Sequence, residues 1–214
     1  MTAFLGTLRA LGVLLSLGVA LYAAQQLVGD TQAKLEFLSF HLRDRPWALY
    51  AHIAASALAL GVLPIQFSAT LRRRWRVLHR LSGRAYGVAV LIGGLSALQL
   101  ALGTESSGLT AAGFGTLALL WLGTTARGIW LARAGRISEH RAWMIRSAAL
   151  TFAAVTLRIW LPVSMIAGVE FEIAYAAIAW LCWLPNLLIA EALLLRHRAR
   201  SNGRNRAVRP PAVA

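Results

Sequence analysis

Residues 47–80 read WALYAHIAASALALGVLPIQFSATLRRRWRVLHR. The first part, residues 47–69, contains no Asp, Glu, Lys or Arg, and it is long enough to cross the hydrocarbon core of a bilayer, which takes roughly 20 residues of helix. An arginine cluster follows at once and comprises Arg72, Arg73, Arg74, Arg76 and Arg80. Apolar segments that end in such clusters are typical of membrane helices whose basic end lies in the cytoplasm.

Five further apolar segments have a similar length and are bounded by charge, glycine or a turn-prone cluster. Hydrophobic residues make up 58% of the 214 residues and charged residues 14%, which leaves too little polar surface for a soluble domain. We predict an all-α fold, a polytopic transmembrane bundle of about six spans. The predicted spans are Leu8–Val28, Trp47–Ala69, Leu81–Leu102, Leu109–Leu131, Trp143–Ala167 and Ile173–Leu195.

Short connections favour one compact unit, so residues 1–197 are expected to form a single transmembrane bundle. Residues 198–214 are basic and rich in Asn, Gly and Pro, and we expect a disordered cytoplasmic tail there. The first apolar segment is long for a signal peptide, and only Arg9 precedes most of it, so we expect it to be retained.

The distribution of Lys and Arg predicts the orientation. With six spans, 18 basic residues fall on one side and three on the other, namely Lys34, Arg43 and Arg45. Because cytoplasmic loops carry the excess of basic residues, both termini are predicted to lie inside, in an N-in/C-in topology. That arrangement requires an even number of spans.

The net charge of +14 does not indicate a nucleic-acid partner. The arginines lie between long apolar segments, so the expected partners are the lipid bilayer and its anionic phospholipid head groups. Cys182 is the only cysteine and excludes an intramolecular disulfide. The pattern leaves the oligomeric state open.

Polar side chains inside a span are costly in lipid, so we expect them to face the bundle interior and to mark a site. His52, Ser56 and Gln66 recur at helical spacing on one face of the second segment. These positions make His52 and Gln66 candidate ligand-binding residues.

Arg158 is the deepest basic residue of the fifth segment. It lies about 18 Å further along the helix than Arg146. Because an isolated charge at that depth is unfavourable, we expect Arg158 to have a partner or to reach the outer interface. Glu170 and Glu172 are the acidic candidates.

Two helix starts on the basic side have related sequences, His79-Arg80-Leu81-Ser82-Gly83-Arg84 and His140-Arg141-Ala142-Trp143-Met144-Ile145-Arg146. Both helices run in the same direction, so His79 and His140 are predicted to lie at similar depth. Two imidazoles in that position suit one metal ion or one haem iron. The alternative is that each basic element anchors its helix at lipid phosphate.

The arginines of these two elements form a candidate anion site. Arg80, Arg84, Arg141 and Arg146 suit a haem propionate, a lipid phosphate or a substrate carboxylate. Since so many cations repel one another, we expect Glu191 to form a salt bridge with one of them.

Several ordered motifs are shared with a known family, and they are His52, Gly61–Phe67, Leu78–Tyr86, His140–Ser147, Thr156–Ile159 and Trp180–Asn186. Over about residues 48–195 the chain resembles a family of bacterial predicted membrane proteins classed as a domain of unknown function. The resemblance implies a multi-pass protein of the bacterial inner membrane, without an established reaction. A looser similarity links the His-Arg elements to b-type cytochromes and ferric reductases. Those families usually use two pairs of helix histidines, whereas one pair is evident here.

Three functions follow and stay open. The first is a membrane redox protein with a single haem b at His79 and His140, working with a quinone or a redox partner. The second is a transporter or binding protein for a small anionic or amphipathic ligand, with Arg158, His52 and Gln66 lining its cavity. The third is a structural, lipid-binding membrane protein. Nucleophile–base, phosphate-loop and zinc-helix motifs are absent from the sequence, so a soluble-type hydrolase or ATPase is not expected.

Overall fold

The computed structural model describes residues 2–29 and 38–207, with side chains for residues 6–29 and 38–200. These parts of the chain form ten α-helices and contain no strand. The helices are α1 (Thr2–Gln25), α2 (Ser39–Asp44), α3 (Pro46–Phe67), α4 (Ala69–Arg74), α5 (Arg76–Leu102), α6 (Gly108–Arg133), α7 (Ile137–Thr151), α8 (Ala153–Ile166), α9 (Phe171–Leu181) and α10 (Leu184–Ala207).

Six helical stretches are long and apolar enough to cross a membrane. They are Gly6–Gln25, Pro46–Phe67, Arg76–Leu102, Gly108–Arg133, Ile137–Ile166 and Phe171–Arg200. Each contains most of one predicted span, so the predicted all-α bundle of about six spans is confirmed. The fifth stretch combines α7 with α8, and the sixth combines α9 with α10.

A proline explains the interruption in the sixth span. Pro185 has no backbone N–H and its ring conflicts with the carbonyl one turn earlier, which disfavours a continuous helix. The chain accordingly leaves the helix at Cys182 and Trp183 and resumes it at Leu184. The Cys182 carbonyl then accepts hydrogen bonds from the Thr156 hydroxyl and, at 2.9 Å, from Asn186 Nδ2. These bonds tie the interruption to α8.

Neighbouring spans pack in sequence order, with α3 between α1 and α5 and with α6 between α5 and α7. The helix α9 packs on α6 and α8, and α10 packs on α7. Gly94 shows how close these contacts are, because a Cβ added there would lie 2.6 Å from Leu122 Cγ. Small residues at such positions let membrane helices approach each other.

The alternating direction of the spans divides the arginines and the acidic loops between two ends of the bundle. The basic end contains α4, the starts of α5 and α7, and the C-terminal parts of α6 and α10. The opposite end contains α2 and the loops at residues 103–107 and 167–170. Helix α10 continues to Ala207, so no helix end coincides with the predicted start of the tail at residue 198, and residues 208–214 lie outside the described residues.

Large apolar side chains cover the outside of the bundle. Leu102 is 87% exposed, Ile166 88% and Leu14 68%. A soluble protein rarely shows so much continuous apolar surface, whereas a lipid-facing one does. The six spans therefore contact the lipid bilayer.

Candidate functional site

A partly enclosed cavity of about 680 Å³ lies in the half of the bundle away from the basic end, nearer to α2 and the acidic loops. Helices α1, α3, α6 and α8 supply most of its lining, α2 and the end of α5 lie at its rim, and α7 and Tyr175 of α9 add to the lining. Most of the lining is apolar, with a few polar groups among it. Volume and lining are both typical of a site for a small organic ligand.

His52 projects from α3 into this cavity. Its Nδ1 lies 2.9 Å from the carbonyl oxygen of Gly93 on α5. A carbonyl only accepts, so Nδ1 carries the proton and Nε2 is left as an acceptor. Ser56, one turn further along α3, places its hydroxyl 3.5 Å from the same ring.

Arg158 lines the cavity from α8. Its Nη1 donates to the Ala154 carbonyl at 3.0 Å, and its guanidinium carbon lies 5.8 Å from the ring centre of Tyr22 on α1. Among the described residues no carboxylate pairs with it. Glu170 instead accepts from the backbone N–H of Ile173, at the start of α9. The guanidinium therefore faces the cavity with donors still available for an anion.

A buried, hydrogen-bonded group of side chains lies beside the cavity, and two of its members, Trp121 and Thr151, line it. Thr151 Oγ1 accepts from Trp121 Nε1 at 2.8 Å and lies 2.7 Å from the Tyr86 hydroxyl. Tyr86 in turn lies 2.6 Å from Ser147 Oγ, which lies 2.6 Å from Thr125 Oγ1. The network joins α5, α6 and α7.

Only part of this hydrogen-bonded group is visible in the sequence. Ser147 and Thr151 stand out as polar residues on the face of Arg158, whereas Trp121 and Tyr86 resemble ordinary packing aromatics. The available signal was Thr124 and Thr125, three and four residues after Trp121, since hydroxyls within a span need partners.

Gln66 lies away from the cavity. Its Nε2 donates to the His79 carbonyl at 3.1 Å and to Ser82 Oγ at 2.6 Å. Gln66 thus joins α3 to α5 near the basic end. The structure brings His52 and Arg158 into one cavity and does not bring Gln66 to them.

His79 and His140 both lie at the basic end, near the starts of α5 and α7. His140 Nδ1 donates to the Gly128 carbonyl at 2.8 Å, which leaves Nε2 as the free ring nitrogen. His79 Nδ1 is buried and has no hydrogen-bond partner within the described residues. In that part of the chain, no group of three or more His, Cys, Asp or Glu side chains is arranged to hold a metal ion.

Glu191 makes the expected contact with one arginine. Its carboxylate accepts two hydrogen bonds from Arg146, one of them at 2.8 Å from Nη2. The Arg146 guanidinium also lies 4.8 Å from the centre of the Trp143 ring. Three further predicted site arginines are exposed without an ion pair to any described acidic residue, and these are Arg80, Arg84 and Arg141.

A family model described as a predicted membrane protein, DUF2306, matches residues 49–194. The match runs from the first turn of α3 into α10 and leaves α1 outside. Comparisons with curated proteins and with solved structures find no match. The similarity of the His-Arg elements to b-type cytochromes stays a prediction. The predicted family resemblance over residues 48–195 is confirmed, and the chain belongs to the DUF2306 family of predicted membrane proteins.

Proposed function

We propose that the protein binds a small amphipathic molecule with an acidic head group in the cavity beside Arg158. The observation that carries this proposal is a guanidinium that lines a largely apolar cavity with no carboxylate partner among the described residues. A charge removed from water and left without a counter-ion is unfavourable, more so inside a membrane. A bound anion supplies that counter-ion.

His52 adds a second point of recognition. Its Nε2 is an acceptor, since the Gly93 carbonyl holds the proton on Nδ1. A hydroxyl or a protonated acid group on the ligand would donate to Nε2, while an oxyanion would accept from Arg158. The apolar walls would hold the hydrocarbon part of the ligand. Carboxylic acids with an alkyl chain, acidic phenols and quinol-like molecules have this chemistry.

Binding of a dansyl-labelled fatty acid to the detergent-purified protein tests the proposal. We expect Arg158→Gln to weaken binding roughly 10- to 100-fold, because a hydrogen bond to a charged group contributes about 1.5–3 kcal/mol. Arg133→Gln, which removes an exposed arginine at the end of α6, is the matched control and should leave affinity unchanged. Equal affinity of the wild type for the acid and for its methyl ester would rule out recognition by Arg158.

Movement of the same probe across a liposome membrane distinguishes a transporter from a binding protein. In liposomes, a transporter would move the labelled acid across the bilayer faster than protein-free vesicles do. A binding protein would retain it. Absence of any binding would contradict the proposed ligand site and leave the haem-binding role and the structural, lipid-binding role.

A single-haem redox role is the second candidate, and the histidines at the basic end favour it. Metal-binding histidines usually donate their other ring N–H to a carbonyl or carboxylate, as His140 does to Gly128. His79 offers a buried ring nitrogen with no partner within the described residues. In this role both imidazoles would bind the iron of haem b, nearby arginines would pair with its propionates, and a quinone or redox protein would exchange electrons with it.

An absorbance spectrum tests this second role. Protein expressed with haem supplied should show a Soret band that sharpens on reduction and that His79→Ala and His140→Ala each abolish. His197→Ala, in the last helix, is the control. A spectrum without a Soret band would exclude haem binding.

A further inference from the structure

The corner between α4 and α5 forms a second hollow, at the basic end of the bundle. Helix α4 ends at Arg74 and α5 begins at Arg76, and Trp75 between them leaves helical geometry with φ −127° and ψ 66°. The turn leaves an open hollow of about 660 Å³. Its lining combines three arginines with apolar side chains from one short stretch, and comprises Arg73, Arg74, Trp75, Arg76, Val77, Leu78 and Leu81.

The cationic side chains of this hollow lack counter-ions. Arg73, Arg74 and Arg76 are exposed and form no ion pair with a described acidic residue. No Asp or Glu occurs in the sequence between Asp44 and Glu105. The first turn of α5 also has no acidic residue, so the positive end of its helix dipole adds to the charge of the arginines. The hollow therefore favours an anion.

The apolar side chains beside these arginines are exposed. Trp75 is 57% exposed, Val77 70% and Leu81 55%. Val77 and Leu81 are one turn apart on α5, so they form a continuous apolar strip that leads from the arginines toward the lipid-facing surface. Tryptophan and arginine together are typical of the membrane–water interface.

We propose that this hollow is a binding site for an anionic phospholipid. The phosphate would accept hydrogen bonds from Arg73, Arg74 and Arg76, and the first part of an acyl chain would lie along Val77 and Leu81. Charge complementarity and the adjoining apolar strip favour a lipid over a free anion. The site lies at the other end of the bundle from the Arg158 cavity and does not depend on the function proposed for it.

Native mass spectrometry of the detergent-purified full chain tests the proposal, with phosphatidylglycerol and phosphatidylcholine added at equal concentration. We expect the wild type to retain phosphatidylglycerol at least tenfold better than phosphatidylcholine. The variant R73Q/R74Q/R76Q should lose this preference. The control R133Q/R196Q/R200Q removes the same number of charges from the basic end, but outside the hollow. It should keep the preference for phosphatidylglycerol.

Three outcomes would overturn the proposal. Equal loss in both triple variants would show diffuse attraction to the whole basic end. Complete displacement of phosphatidylglycerol by inorganic phosphate would show an anion site without lipid contacts. Unchanged retention of phosphatidylglycerol in Val77→Asn would exclude the apolar strip. If the triple variant fails to fold, Arg74→Gln alone provides the same comparison, with Arg133→Gln as its control.

Discussion

Two arginines of the fifth span have different surroundings. Arg146 near the basic end is paired with Glu191, whereas Arg158, about three turns deeper, meets a backbone carbonyl and the Tyr22 ring. The first guanidinium has a carboxylate partner and joins α7 to α10. The second keeps donors directed at a cavity. This difference supports a structural role for Arg146 and the ligand-binding role that we propose for Arg158.

The Tyr86 hydroxyl joins Ser147 to Thr151 in the buried hydrogen-bonded group beside the cavity. We expect Tyr86→Phe to lower the free energy of unfolding by about 1–2 kcal/mol, because Thr151 and Ser147 each lose a buried hydrogen-bond partner. Thermal unfolding in detergent measures the effect. Tyr50→Phe, in a half-buried tyrosine of α3, is the control. Equal melting temperatures for the two variants would show that the network adds no stability.

At this scale, the sequence predicts a contact only where the depth of each residue along its helix is sufficient to bring the two residues together. The Arg146–Glu191 pair was predictable because clustered cations need an anion and Glu191 lies at the matching depth. His52 and Gln66 share a helix face, but they are 14 residues apart, which is about 21 Å along the axis. A common face therefore did not place both in one cavity. The cavity itself arises from packing between several helices, which no single segment encodes.

At the scale of elements, α2 lies across the rim of the cavity and is held to the α5–α6 loop. Arg43 forms an ion pair with Glu105 at 2.6 Å, and Arg45 donates to the Gly103 carbonyl at 3.3 Å. The Arg45 guanidinium packs so closely on Gly103 that an added Cβ would lie 2.1 Å from its central carbon. His41 of the same helix is 5% exposed and lines the cavity.

The position of α2 should depend on pH. Burial lowers the pKa of His41, and the positive charge of Arg45 lowers it further, while Glu105 and Asp44 oppose this change and His52 adds a small lowering effect. A histidine with a lowered pKa in the folded state stabilises its position fully above its ordinary value of about 6.5, and this contribution is lost as the pH falls through the folded-state pKa. We expect α2 to leave the rim on acidification.

Labelling of a cysteine placed at Leu38, which is half-buried and lines the cavity, measures this change, since the native Cys182 is buried. The labelling rate should rise as the pH is lowered below 6.5 after correction for thiol ionisation. His41→Gln should remove most of the rise. Asp44 also has a lowered pKa, caused by its hydrogen bond with Arg43, so a rise that persists in His41→Gln and disappears in Asp44→Asn would assign the change to that carboxylate instead.

At the scale of the whole molecule, the first span lies outside the family match but forms part of the candidate site. The match covers residues 49–194, whereas Val19, Tyr22 and Gln26 of the N-terminal region line the cavity. The number and type of spans were predictable because about 20 consecutive apolar residues leave few alternatives in a membrane. The role of α1 as a cavity wall was not, since it depends on which neighbour this helix packs against.

The predicted orientation determines which side of the membrane each proposed site faces. Cytoplasmic loops retain arginine, so the basic end is expected inside, with the Arg73–Arg76 hollow at the anionic inner leaflet and the Arg158 cavity nearer the outside. A reporter fused after Arg206 should be active only in the cytoplasm, and one inserted at Ser106 only outside. The reverse pattern would place the cavity toward the cytoplasm and the hollow in the outer leaflet. A C-terminus outside with an N-terminus inside would contradict six crossings, because only an even number returns the chain to its starting side.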